Sequence, residues 1–177
     1  MTCIEGDPEL AEQAREHCYQ MIQADLDEQL PELSGQFDVI VYGDILEHLK
    51  NPMVVLRDLN RYLRPGGTVI VSVPNFVHLW VRLNVLVGRF RYAERGILDR
   101  THVRFFTMAS FRSFLGHAGL QVDDVVATPV PLLLAVPTRH HGLWLWLLHR
   151  LNAILANNWK TMFGYQFVAI ARLAGIS

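Results

Sequence analysis

The sequence predicts an α/β fold in which a mostly parallel sheet is flanked by helices, and two stretches carry that prediction. Residues 37–42, FDVIVY, are a nearly continuous apolar run. That pattern belongs to a parallel strand buried on both faces, not to a half-solvated one. Residues 68–73, TVIVSV, repeat it. Between them, residues 49–65 place Val55, Leu56, Leu59, Tyr62 and Leu63 on one helical stripe, with Arg57, Asp58 and Arg61 off it. Pro65-Gly66-Gly67 predicts the stop. Strand, helix and strand at this spacing make a βαβ crossover. Gly43, Asp44, Glu47 and His48 follow the first strand at once. Open α/β sheets bind ligands at the carboxyl ends of their strands, so this turn is a candidate site wall.

Composition sets the frame. The 177 residues are 51% hydrophobic and 19% charged, with a formal net charge of −1. This suits one globular domain with its own core and gives no electrostatic reason to expect nucleic-acid binding. The N-terminal residues lack a basic region followed by an apolar one. The most apolar stretch, residues 142–148, falls short of the roughly 20 residues a bilayer crossing needs. A cytoplasmic protein is expected, with Cys3 and Cys18 as reduced thiols, since they carry no ligand spacing. No metal is expected. His140-His141 are chain neighbours that rarely point at one ion, and Glu47-His48 lacks a second His at helical spacing. The absence of a GxSxG elbow argues against a serine hydrolase.

Taken in order, residues 2–5, TCIE, read as a strand. Asp7-Pro8 starts a helix, with Asp as N-cap and Pro at the first helical position. Leu10, Ala11, Ala14, Cys18 and Met21 continue at helical spacing, and residues 19–24 turn into a short strand before Asp25. Both strands end in an acid. In dinucleotide-binding folds an acid at the end of the second strand bonds ribose hydroxyls, about 20 residues after a Gly-rich loop. For Glu5 and Asp25 the plain alternatives are a solvated strand-end acid and a turn residue. Asn75 closes the strand at 68–73 and reads equally as a site residue or a turn former. Residues 76–88 form a helix containing Trp80, Val81, Leu83, Leu86 and Val87. Residues 89–107 are a long polar and aromatic stretch, and long irregular segments in compact domains are functional or disordered. Phe90, Tyr92, Phe105 and Phe106 argue against disorder. Within it His102 lies between Arg100 and Arg104, and an imidazole titrating near roughly 6.5 suits a general base. Thr107 caps a helix carrying Phe111, Phe114, Leu115 and Ala118, and Gly119 ends it. A strand at 120–127, a proline-broken loop at 129–137 and a Leu- and Trp-rich helix at 142–156 follow. That helix reads as a core or dimer helix. The alternative is a surface helix meeting a membrane or lipid-linked acceptor through Trp144, Trp146, His149 and Arg150. YQFVAIAR, residues 165–172, is the last strand.

FDVIVYGDILEHLKNP, LRDLNRYLRPGGTVIVSVPN and GILDRTHVRFFT together resemble the class I S-adenosylmethionine-dependent methyltransferases. The resemblance is to the bacterial small-molecule and glycan branch that includes the ubiquinone O-methyltransferases. It runs from about residue 2 to 126, with a weaker echo at 164–172. It implies a Rossmann-like sheet whose last strand runs antiparallel between the fifth and sixth. It also implies a single domain over 1–177, with insertions at about 76–106 and 129–160. S-adenosylmethionine is the implied cofactor, with Glu5 on its ribose, Asp25 by its adenine amine, and Asp44 and Ile45 along its methionine side. His102 is the implied base, with Asp44 and His48 beside it, and Asn75, Arg100 and Arg104 face the acceptor. The implied reaction is O-methylation of a small molecule or glycan. The family's Gly-rich loop has no counterpart, because the resemblance begins at the family's second strand. A start codon assigned too far downstream is the expected reason; a real truncation and a fragment whose first strand comes from elsewhere are the alternatives. An inactive methyltransferase-like interaction module is the alternative that the missing loop supports. A nicotinamide enzyme on a similar sheet is disfavoured by the antiparallel ending.

Overall fold

The computed structural model describes residues 1–137 and 142–175; the His140-His141 pair lies outside them. The order is β1 (Thr2–Glu5), α1 (Pro8–Ala14), β2 (Gln20–Gln23), β3 (Phe37–Gly43), α2 (Pro52–Asn60), β4 (Leu63–Pro74), α3 (Leu79–Leu86), α4 (Met108–His117), β5 (Leu120–Thr128), α5 (Leu132–Ala135), α6 (Leu143–Asn158), α7 (Lys160–Phe163) and β6 (Gln166–Leu173). β1 and β2 pair in parallel as one ribbon, and the second sheet has the order β3-β4-β6-β5. β3 and β4 are parallel, from Val39 opposite Thr68 to Gly43 opposite Ser72. β6 enters antiparallel to both β4 and β5, as the resemblance implied.

The core lies between this sheet and α2 and α4. Leu46, Leu56, Val69, Val71, Val73, Phe111, Leu115, Phe167, Ala169 and Ala171 are all completely buried. Each large side chain of this kind contributes about 1.5–3 kcal/mol by leaving water. The β1–β2 ribbon and the segment after it join the same core, through Ile4 and through Leu26, Leu30 and Leu33. Local chemistry sets the helix starts. The Asp7 carboxylate accepts from the Glu9 and Leu10 amides, with Pro8 at the first position. Thr107 and Ser110 form a reciprocal capping box on α4.

Five expectations are corrected. The helix expected over 49–65 runs only from Pro52 to Asn60, because Leu63 leaves to pair with Phe37 and is itself buried; a long-range strand contact outweighs the local helical stripe. α1 stops at Ala14, and a 3₁₀ turn over Arg15–His17 carries the chain to an extended Cys18. That turn brings Cys18 within 6.2 Å of Cys3, Cα to Cα, and the two form a disulfide instead of reduced thiols. β3 is not buried on both faces: Val39 and Val41 are 48% and 64% exposed, since nothing among the described residues covers that face. The expected loop at 129–137 contains one helical turn, α5.

No helix among the described residues is long and apolar enough to cross a membrane. α6 buries Leu145 and Ala156 and exposes Leu143, Trp144, Trp146, Leu147 and Leu151.

Candidate functional site

The carboxyl ends of β3 and β4 and the amino end of the antiparallel β6 converge on the turn that follows β3. Asp44 opens this turn with a left-handed backbone, φ 49°, a conformation a non-glycine residue holds only when its surroundings impose it. The surroundings are visible. The Ser72 hydroxyl on β4 donates to Asp44 Oδ1 at 2.9 Å, and Gln166 on β6 donates to Oδ2 at 2.5 Å. The Asp44 amide donates back to Ser72 Oγ at 3.0 Å. Asp44 therefore ties three strand ends together, and both its oxygens are engaged.

Three residues later stands Glu47, 1% exposed, with neither carboxylate oxygen hydrogen-bonded. A buried carboxylate without partners is costly and holds its proton. Burial pushes this carboxyl up to about 8, against a smaller downward pull from its own backbone amide; the negative Asp44 adds to the rise. The sequence reading named Glu47 in the polar turn but gave it no role. The available signal was its setting: an acid two residues from Leu49 and next to Leu46, both of which the fold buries.

His102 comes to Glu47 from the loop before α4. The Val103 and Arg104 amides both donate to the Glu47 carbonyl, at 2.9 and 3.1 Å, and so staple the loop over the turn. His102 Nε2 lies 4.0 Å from Glu47 Oε1, and both side chains are almost wholly buried. His102 Nδ1 sits 3.2 Å from the Ile97 carbonyl. A carbonyl only accepts, so Nδ1 carries the hydrogen and Nε2 keeps a free lone pair toward Glu47. Burial lowers the pKa of His102, partly offset by the Ile97 carbonyl. The His48 ring meets His102 edge-on, with centroids 4.7 Å apart. Its Nδ1 lies 3.0 Å from Thr101 Oγ1, whose hydrogen goes to Asp99 Oδ1 at 2.7 Å. Thr101 must then accept from His48, so His48 also keeps its lone pair on Nε2.

Asp44, Glu47, His48 and His102 line a cavity of about 200 Å³ together with Pro74, Gly96, Tyr165 and Gln166. Gly96 is required there. Its φ is +94°, and a Cβ would stand 2.9 Å from the Tyr165 hydroxyl. This volume is below the roughly 300 Å³ of a small-ligand pocket, so it fits reacting groups and not a whole nucleotide. Glu47, His48 and His102 also offer one ligand atom each within 4.8 Å of one another, a two-nitrogen, one-carboxylate set of the kind that suits a zinc-like ion.

The remaining sequence-predicted residues fall elsewhere. Asn75 is fully buried and faces inward: its amide donates to the Thr161 and Gly164 carbonyls, and its oxygen accepts from Val77. Arg104 donates to the Leu49 and Lys50 carbonyls, and Arg100 pairs with Glu94 on the surface. Ile45 packs against the core. Glu5 and Asp25 end β1 and follow β2. Glu5 Oε1 accepts from the Asp7 amide and Asp25 Oδ1 from the Asp27 amide, so each keeps a second oxygen open.

A family model described as a methyltransferase domain matches residues 1–125. The ubiquinone biosynthesis O-methyltransferase of Xanthomonas axonopodis pv. citri is 30% identical over 133 residues, 71% of this chain and 55% of that protein. The one from Xylella fastidiosa is 32% identical over 133 residues, 71% of this chain and 53% of its own length. The chain thus spans about half the length of the curated relatives it matches. SAM-dependent methyltransferases of solved structure from Thermotoga maritima and Archaeoglobus fulgidus share the fold. Their TM-scores are 0.64 and 0.58 at 17% and 14% identity, over 98% and 96% of this chain and 72% and 74% of theirs. With the antiparallel β6, the strand-end turn and the match over residues 1–125 in agreement, the chain belongs to the methyltransferase-domain family.

Proposed function

We propose that the chain acts as an S-adenosylmethionine-dependent O-methyltransferase on a small molecule or glycan. The observation that carries the reading is the trio at the strand ends: a partnerless buried carboxyl facing two imidazoles whose Nε2 atoms are both free. Open carboxylate oxygens on Glu5 and Asp25 fit the hydroxyls and exocyclic amine of an adenosine, while the 200 Å³ cavity fits the reacting ends. The cofactor supplies an electrophilic methyl group on a sulfonium.

The residues of this chain then position the acceptor and manage its proton. His102 is neutral near pH 7, because burial disfavours its charged form. Its Nε2 takes the proton of an acceptor hydroxyl presented from the strand-end cavity that His102 and Glu47 both line. The imidazolium so formed faces the Glu47 carboxyl, which keeps its own proton and turns an oxygen lone pair toward the new N–H. His48, oriented through Thr101 and Asp99, closes the other side of the hydroxyl. Asp44 contributes by fixing the turn. Residues 76–106 serve as the acceptor-side cap over these strand ends.

The test is a split between binding and turnover, made on this chain and on a form extended at its N-terminus by a strand and Gly-rich loop. His102→Ala is expected to lower turnover by about 10²–10⁴ and to leave calorimetric affinity for S-adenosylmethionine unchanged. Glu5→Ala is expected to do the reverse. Full turnover by His102→Ala on a true acceptor removes the base assignment.

A further inference from the structure

A second cavity adjoins the first. It measures about 370 Å³ and is lined by Trp80, Asn84, Arg89, Arg91 and Leu98. The two share a wall: Gly96 faces the strand-end cavity, Leu98 faces this one, and the Ile97 carbonyl between them orients His102. Sequence alternation aims the arginines. Phe90 and Tyr92 stack edge-on at 5.3 Å, and Phe90 rests on Phe76, which packs on Phe105 at 4.4 Å. The intervening Arg89 and Arg91 turn the other way, into the cavity. The Arg89 amide donates to the Asn84 carbonyl, and the Asn84 side chain donates to the Trp80 carbonyl, which fixes the rim against α3.

Neither guanidinium has a hydrogen-bond or ion-pair partner among the described residues. The acids nearby are already engaged: Glu94 pairs with Arg100 at 2.9 Å, and Asp99 holds Thr101. Residues 82–104 carry six arginines and two acids in a chain whose net charge is −1. Two free forked cations beside an exposed indole and a leucine make a surface that pairs an oxyanion with an apolar body.

We propose that the acceptor carries a carboxylate or phosphate on an apolar or aromatic body, and that Arg89 and Arg91 bind this group while its hydroxyl reaches His102 across the Gly96–Leu98 wall. The role of the ligand as methyl acceptor rests on the methyltransferase reading; the binding of the anion does not.

Calorimetry on the full chain without S-adenosylmethionine tests this with four probes: phenyl phosphate, benzoate, benzyl alcohol and inorganic phosphate. Phenyl phosphate or benzoate is expected to bind at least tenfold more tightly than benzyl alcohol or inorganic phosphate. Whichever of the first two is tighter identifies the oxyanion. Arg89→Gln and Arg91→Gln are each expected to weaken that binding by about 10–100-fold, the loss typical of a charge-assisted hydrogen bond. Both residues are surface-exposed, so both variants are expected to fold. Equal binding of benzyl alcohol, absence of binding by both aromatic anions, or unchanged affinity in the arginine variants overturns the proposal. Because no methyl transfer is measured, probe binding survives if the methyltransferase reading is wrong and is lost if the arginine subsite is wrong.

Discussion

Replacing Glu47 by Gln should stabilise the protein in alkaline buffer while impairing it as an enzyme. Burial raises the Glu47 carboxyl from an ordinary 4.5 to about 8. At about 1.4 kcal/mol per tenfold change in proton affinity, keeping this group ionised inside the fold costs roughly 5 kcal/mol. Below pH 4.5 the folded and unfolded chains both hold the proton, and there is no penalty. Between 4.5 and 8 the folded protein keeps a proton that the unfolded chain has released, so stability falls as pH rises. From pH 5 to pH 8 this single group should remove about 3 kcal/mol. The charged and titratable groups around it are His102, His48 and Asp44; all three remain in Glu47→Gln, so the difference between the two proteins isolates Glu47. The substituted amide keeps the shape and offers N–H donors to the free Nε2 atoms. Urea unfolding at pH 5, 6.5 and 8 is the assay. With a urea slope of about 1–3 kcal/mol per molar, the parent midpoint should drop by about 1–3 M more than that of the variant across this range. Stability curves that run parallel against pH would refute the reasoning, and would mean that water or a bound cation already satisfies the carboxylate.

Three further outcomes are expected. Asn75→Ala leaves the Thr161 and Gly164 carbonyls and the Val77 amide without partners and should cost about 2–4 kcal/mol in urea unfolding, with little change in S-adenosylmethionine affinity by calorimetry. Thiol titration of the protein denatured without reductant should find no free thiol, and reduction of the Cys3–Cys18 bridge, which spans 15 residues, should lower stability by about 3 kcal/mol. Dialysis against a chelator should leave turnover intact if the Glu47–His48–His102 trio works by proton transfer; a loss that zinc or manganese restores would assign the trio to metal chemistry.

The parts of the fold legible in the sequence were those written in local periodicity. The strands β3 and β4, the Thr107 cap and the Asp7-Pro8 start all sit where pattern and capping chemistry place them, although β3 leaves one face exposed. What was not legible depended on contacts between distant residues. The stripe through Tyr62 and Leu63 is helical by spacing, but Leu63 gains more by entering the core beside Phe37. Nothing in a spacing of 15 residues marks Cys3 and Cys18 as partners. They meet because parallel pairing sets Cys3 beside Met21 and a 3₁₀ turn ends just before Cys18.

The site divides along the same line, and Asp44 and Glu47 show why. In the sequence they are two acids in one polar turn, and Asp44, at the strand end, looks the better catalytic candidate. The fold reverses their prospects through their partners. Asp44 meets a hydroxyl from β4 and an amide from β6, so both its oxygens are engaged and it serves the turn. Glu47 meets neither, and the loop stapled over its carbonyl by residues 103 and 104 shuts out the water that would otherwise keep it ionised. A carboxyl so placed holds a proton at neutral pH next to an imidazole that does not, and two adjoining groups with separated proton affinities are what acid–base chemistry needs. The residues supplying those partners, Ser72, Gln166, Val103 and Arg104, lie far from the turn in the chain, so no local reading could have ranked the two acids.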